Sequence, residues 1–415
     1  MVIPMQELTS LSSARTTCIG LQEWLDASLV QPASEESLNS TSSNNNSRLR
    51  LIYIGEGKRD SDREAAIGRI PVVSKNGTPL MPCRPAKARK LLAQGKAIKK
   101  RNKIGVFYLH LQFDPHIPVT QPLAIGVDPG TKYEGFSVVG TSDTVVNIMS
   151  EAVTWVKRKV EQRRNARRAR RRRNTRRRKN KKNRLTNQRR LPPSTKARWD
   201  VKLRLIKQLC TIIPIQYLVV EDIQAVTKKR HHKRWNTNFS PLEVGKWYFY
   251  SELQKLKLIV ILAQGNETQQ LREHFGLQKK KSKSQPIFET HCVDAWVLAA
   301  AITGANYPTT RKLYYITPLQ FHRRQLHRFQ FAKGGIRRRY GGTLSLGLKK
   351  GTLVKHKTYN LCYIGGNLKN RLSLHCLKTG KRLTQNTKQE DFTILTRISF
   401  RTQFLSPVNR GVFLR

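Results

Sequence analysis

Three acids and one histidine stand where a divalent-ion site could be built. Asp128 interrupts an apolar run, "LAIGVDPGTKYEGFSVVG" (123–140), at a Pro-Gly turn. Glu221 and Asp222 close a second run, "IQYLVVED" (215–222). His291 and Asp294 lie three positions apart in "ETHCVDAWVLAAAI" (289–302), a spacing that puts both on one helix face. A buried strand ordinarily avoids an unpaired acid, because desolvating the charge is costly. Hydrolysis of a phosphodiester by two hard ions about 3.5–4 Å apart requires such acids, converging from separate elements. Each residue also has a plain reading: a turn former, a strand-end acid, a first-turn acid favoured by the helix dipole, a core histidine. It is their joint placement that points to chemistry. Of the pair at 221–222, alternation along the strand turns Asp222 away from the face that Glu221 uses.

The elements needed to bring them together can be read in order. "LAIGVDP", "EGFSVVG" and "TVVNIMSEAV" predict three successive strands with tight turns, and "TKARWDVKLRLIKQLCTII" an amphipathic helix. "IQYLVV" is a buried strand. "SPLEVGKWYFYSELQKLK" opens a helix with Ser240 as N-cap, Pro241 at N1 and Glu243 at N3, a capping box. "LIVILAQ" is a fifth strand, and the 289–302 segment an apolar helix. Three antiparallel strands leading into parallel crossovers make a mixed sheet covered by helices, the order of the RNase H-like α/β fold. In that order the ends of the first and fourth strands are neighbours, which sets Asp128 beside Glu221. Actin-like kinases share the fold and a similar Asp–Gly turn. They need a duplicated domain with a second phosphate loop, and no second copy is found in this chain.

Charge identifies the partner class. The chain has 415 residues, with 79 Lys+Arg against 26 Asp+Glu, for a formal net charge of +53. An excess of that size predicts a polyanionic partner, nucleic acid first. No apolar stretch approaches the roughly 20 residues of a membrane-spanning helix, so a membrane is not expected as partner. The densest basic run, 157–190, is internal, between the third strand and the following helix. Its "RRNARRARRRRN" places arginines at helical spacing with Ala, a good helix former. Arg163, Arg164, Arg167, Arg168, Arg170, Arg171, Arg172, Arg173, Arg176 and Arg177 are therefore expected on an RNA-bound helix, since guanidinium groups suit bidentate phosphate contact.

The remaining organisation is coarser. Residues 1–66 include the polar tract "SEESLNSTSSNNNSR" and are expected to be a variable, disordered extension. Residues 67–120 predict a small α/β module: a strand, an Asn-Gly turn at Asn76–Gly77, a short basic helix stopped by Gly95, and the alternating strand "VFYLHLQF". Residues 121–156 carry the first acid, and 191–312 the other site residues. Residues 313–415 form a basic, Gly-punctuated, hairpin-rich region that offers Lys333, Arg337, Arg338, Lys349 and Lys350 to RNA or DNA. The six cysteines are scattered without a CxxC pair, which favours a reducing compartment. With no secretory signal pattern, the expected location is the cytoplasm of a prokaryote, at the nucleoid, or an organelle.

These motifs, taken in order, resemble a known family. "TPLMPCRPAKARKLL", "IGVDPGTKYEGFSV", "RRNARRARRRRNTRRRK", "YLVVEDI", "THCVDAWVLA", "RRQLHRFQFAKGGIRRRYGGT" and "GLKKGTLVKH" are similar to segments of the transposon-encoded RNA-guided nucleases IscB and IsrB. They correspond to the PLMP module, the first segment of a split RuvC nuclease, the arginine-rich bridge helix, the second and third RuvC segments, and the C-terminal region. The likeness covers nearly everything after about residue 69. It implies that Asp128, Glu221 and Asp294 bind metal, two Mg²⁺ (or Mn²⁺) ions, with His291 as a fourth active-site residue, beside the ligands or acting as general base. It also implies a non-coding guide RNA, a double-stranded DNA target and a monomeric ribonucleoprotein. IscB carries an HNH nuclease between the second and third RuvC segments. Here seventy positions (291 − 221) separate Glu221 from His291, nearly all used by RuvC elements, and His231 and His232 of "KKRHHKRWNTN" have no HNH pattern after them. The resemblance is therefore closer to IsrB, which lacks HNH, and implies a single nick on the displaced non-target strand.

Overall fold

The structure, a computed structural model, describes residues 19–22, 68–116, 120–172, 191–224, 240–282, 284–320, 329–330, 335–336, 344–397 and 400–406. Among these the central feature is an eight-stranded mixed sheet. Its middle five strands are β6 (Leu123–Asp128), β7 (Tyr133–Gly140), β8 (Thr144–Glu151), β9 (Tyr217–Glu221) and β10 (Ile259–Ala263). β6, β7 and β8 form an antiparallel meander, while β9 and β10 add on in parallel beside β6. The resulting order, β10-β9-β6-β7-β8, is the RNase H-like order expected from the sequence.

Alternation along the buried strands assigns two cores. Ile125 and Val127 of β6, with Leu218 and Val220 of β9, pack against α3 (Pro193–Cys210) and α4 (Pro241–Gln254) through Leu205, Leu209 and Phe249. Ala124 faces the other way, into a cluster with Trp296, Val297 and Ala300 of α6 (Val293–Thr303). Both faces are covered, so the strands read as continuous apolar runs rather than alternating ones. Gly126 and Gly135 allow α6 to lie directly on the sheet. A Cβ at Gly126 would stand 1.8 Å from the Ala295 carbonyl oxygen, and one at Gly135 would stand 2.1 Å from that of His291.

Two parts of the chain join this sheet unexpectedly. Within the stretch expected to be a disordered extension, β1 (Ile19–Gly20) pairs in parallel with β10. Leu21 is buried with Val219, Ile261 and Leu298, which gives this short segment an apolar anchor. The rest of 1–66, apart from 19–22, lies outside the described residues. The boundary expected at 312 is likewise not a break in the sheet. β11 (Leu313–Pro318) pairs in parallel with β8, and β21 (Phe400–Leu405) pairs with β11. The chain leaves to build its C-terminal part and returns to close the sheet edge.

The flanking units are small. β2 (Ile70–Val73), β3 (Pro79–Cys83), β4 (Ala97–Arg101) and β5 (Phe107–Leu111) make a four-stranded sheet with α1 (Pro85–Ala93) between β3 and β4. Gly77 (φ +87°) takes the left-handed position of the Asn-Gly turn. In the C-terminal part, β12 (Phe329–Gln330) with β13 (Gly335–Ile336), and β14 (Leu344–Ser345) with β15 (Leu348–Lys349), are two-residue ladders. β16 (Leu353–His356), β17 (Asn360–Leu368), β18 (Arg371–Cys376), β19 (Arg382–Thr387) and β20 (Phe392–Thr396) form an open antiparallel sheet.

The basic run begins in α2 (Trp155–Arg172), an 18-residue helix between β8 and α3. Arg163, Arg164, Arg167 and Arg168 are exposed on it, and no acid of the described residues pairs with them. The side chains of Arg170, Arg171 and Arg172, and all of Arg173, Arg176 and Arg177, lie outside what is described. So do His231, His232, Lys333, Arg337 and Arg338. Lys349 is exposed and Lys350 half-buried, and burial lowers the Lys350 pKa. No helix among the described residues is long and apolar enough to cross a membrane.

Candidate active site

Each acid reaches the site because of where its element ends. Asp128 is the last residue of β6 and Glu221 the last of β9, and the two strands pair in parallel up to Val127–Val220. Alternation then turns both side chains toward the α6 face. Asp222, one step on, turns to the opposite face, where it accepts a hydrogen bond from the Tyr250 hydroxyl (2.6 Å) and pairs with Lys246 (2.7 Å). Ser240 caps α4 as expected, accepting the Glu243 N–H at 3.2 Å, while the Glu243 carboxylate pairs with Lys246.

The expected α-helix over 289–302 differs at its start. Phe288–Cys292 form a π-helical turn, and the α-helix begins only at Val293. Such one-turn widenings recur at functional sites because they re-aim one side chain. Here His291 leans onto Asp128, with Nδ1 3.2 Å from Oδ2, and its ring lies 5.9 Å from that of Tyr133. Asp294 stands at the second position of α6 and is 2 % exposed. One oxygen each of Asp128, Glu221 and Asp294 lies within 4.8 Å of the others.

Three carboxylates this close need positive charge. Two full charges at that spacing repel by about 3 kcal/mol at an effective dielectric of about 20. Glu221 responds most. Burial, then the charge of Asp128, a hydrogen bond shared with that carboxylate, and Asp294 push its pKa up to about 8. For Asp128, burial acts to raise the pKa, but the His291 hydrogen bond and the Lys279 charge outweigh it and hold the group below its usual range. The set of three hard oxygen donors, with no thiolate among them, suits Mg²⁺ or Mn²⁺.

Two cations at the site were not singled out in the sequence. Arg272 donates from Nη1 to Asp294 Oδ1 at 2.9 Å. Lys279 contacts Asp294 Oδ2 and stands 3.6 Å from Asp128 Oδ2. Arg272 comes from α5 (Gly265–His274), a polar ten-residue helix between β10 and the π-helical turn, outside the elements predicted from the sequence. The N-terminus of α5 lies over Glu221: a Cβ at Gly265 would be 3.4 Å from Glu221 Oε1. Among so many basic residues, "LREHFGLQKKKSK" gives no local sign that two of its cations turn inward. On the other face of β7, Lys202 and Glu134 make a buried ion pair at 2.6 Å that ties α3 to the sheet.

Sheet order and clustered acids together give an RNase H-like mixed sheet with three carboxylates converging at the ends of β6 and β9 and the start of α6. Residues 70–238 match the family model described as RRXRR protein. That segment holds the N-terminal module, the β6–β8 meander, the arginine helix and β9, and the literal pattern stands at Arg167-Arg168-Ala169-Arg170-Arg171. Two solved structures from Thermus thermophilus are similar at low identity. RuvC in complex with a Holliday junction substrate is 11 % identical, with a TM-score of 0.26, covering 44 % of this chain and 92 % of that one. A second RuvC structure is 12 % identical, with a TM-score of 0.24, covering 43 % and 92 %. No curated protein matches the chain.

Proposed function

We propose that the chain is an RNA-guided, divalent-metal-dependent DNA endonuclease that nicks the displaced non-target strand through one RuvC-like centre. The observation that carries this reading is the convergence of Asp128, Glu221 and Asp294, from two strand ends and one helix start, with oxygens within 4.8 Å. Divalent ions held there would supply Lewis acidity to the scissile phosphate and an acidified water. Asp128 orients the His291 imidazole through Nδ1, and in this reading Nε2 takes the proton of the attacking water. Arg272 fixes the rotamer of Asp294 through Oδ1. The exposed arginines of α2 support a phosphate-rich partner, and the resemblance to IsrB supports reading that partner as a non-coding guide RNA, with base pairing reading the target. Lys349 and Lys350, with Lys333, Arg337 and Arg338, are proposed to contact RNA or target DNA in the C-terminal region.

The test is to purify the protein with the RNA of its own locus. A guide-matched duplex beside a randomised flank is then supplied with Mg²⁺. Nicking that needs both the RNA and Asp128 is expected. RNA bound without cleavage, unaffected by Asp128→Ala, would instead leave an RNA-binding repressor. Cleavage of branched DNA without RNA would leave a structure-selective nuclease.

A further inference from the structure

We propose that Lys279 is a built-in competitor for the metal: its ammonium fills the place between Asp128 and Asp294 and must leave when a divalent ion enters. The inference rests on the reading of these carboxylates as metal ligands. Lys279 touches Asp294 Oδ2 and lies 3.6 Å from Asp128 Oδ2, so it pairs with two of the three acids that would hold an ion. The two cations of the site differ in kind. Arg272 sits on α5 and uses the other oxygen of Asp294, Oδ1, so it can stay while the ion binds. Lys279 lies between α5 and the π-helical turn, on a flexible stem with 26 % of its side chain exposed. It has a route to solvent that needs no movement of the sheet or of α6. The neighbouring backbone stays fixed by the Lys280 N–H, which donates to the Glu289 carbonyl at 2.8 Å.

The physical consequence is a metal site stable in both states. Without an ion, Lys279 neutralises acids that would otherwise repel. With an ion, the ammonium is released at the mouth of the site, where the phosphate backbone of a substrate arrives. The contact given up is a charge-assisted one, so removing it is expected to tighten metal binding by about ten- to a hundredfold.

Mn²⁺ binding to the wild-type protein, Lys279→Met, Lys279→Arg and Asp294→Asn is measured by electron paramagnetic resonance, with thermal melting as a folding control. Lys279→Met is expected to bind at least tenfold tighter than wild type, Lys279→Arg like wild type, and Asp294→Asn weakly. Equal or weaker binding by a folded Lys279→Met overturns the competition while leaving the metal site intact. Absence of Mn²⁺ binding in every protein, wild type included, overturns the nuclease reading itself. A second measurement needs no variant: acylation of lysines in the wild-type protein, quantified by peptide mass spectrometry with and without Mn²⁺. Lys279 is expected to label several times faster with Mn²⁺ while exposed Lys280 stays unchanged. An unchanged Lys279 rate overturns the proposal.

Discussion

Replacing Glu221 by Gln in the metal-free protein tests the electrostatics of the site without relying on cleavage. Glu221 is crowded by Asp128 and Asp294, and its pKa in the folded chain is about 8 against an ordinary 4.5. The folded state therefore holds this proton more tightly than the unfolded state. The resulting stability is fully present below about pH 4.5 and is lost as pH rises through about 8. The interval (8 − 4.5) at 1.36 kcal/mol per pH unit gives a ceiling of about 5 kcal/mol, with about 2–4 kcal/mol expected once the cluster shares the charge. Gln keeps the shape and a hydrogen-bond donor toward Asp128 but cannot ionise. In EDTA at pH 9, Glu221→Gln should melt above wild type by about 2–8 °C, and at pH 5 the two should nearly coincide. Saturating Mg²⁺ should reverse the order at pH 9, because only wild type gains the third ligand. Circular dichroism melts across pH provide the assay. A difference that does not vary with pH, or a wild type more stable than the variant at pH 9 without metal, would refute the reasoning.

Other expectations are more local. Gly126→Ala and Gly135→Ala push a Cβ into the carbonyls of Ala295 and His291, and each should cost about 1–3 kcal/mol in urea unfolding. Gly135→Ala should also depress cleavage beyond its stability cost, because it moves the backbone that carries His291. Changing Arg163, Arg164, Arg167 and Arg168 together to Gln should lower the slope of log affinity for single-stranded RNA against log salt by about 3, read by fluorescence anisotropy. An unchanged slope would remove α2 from the RNA contact. Leu21→Ala should destabilise the β10 edge by about 2 kcal/mol, seen as faster amide exchange in β10.

The parts of the site legible in the sequence were those fixed by local pattern. Asp128 and Glu221 each end an apolar run, and period-two alternation is enough to separate Glu221 from Asp222. The spacing of His291 and Asp294 places both beside those strand ends, although the spacing alone does not show that His291 sits in a π-helical turn. What stayed hidden depends on distance along the chain. Arg272 and Lys279 look like any other cation in a chain of net charge +53, and only the fold brings them onto Asp294. The same holds for the strands that complete the sheet. β1 is two residues long and finds its partner more than two hundred positions away, and β21 reaches β11 after the entire C-terminal sheet.

Strand-resolved cleavage tests the central claim most directly. A duplex matched to the guide RNA is labelled at both 5′ ends and incubated under single-turnover conditions with the ribonucleoprotein, either wild type or Asp128→Ala. The account predicts a break in the non-target strand alone, present with Mg²⁺ or Mn²⁺, absent in EDTA and lost in Asp128→Ala. An intact duplex with the wild-type complex and Mg²⁺, or cleavage that survives Asp128→Ala, would contradict it.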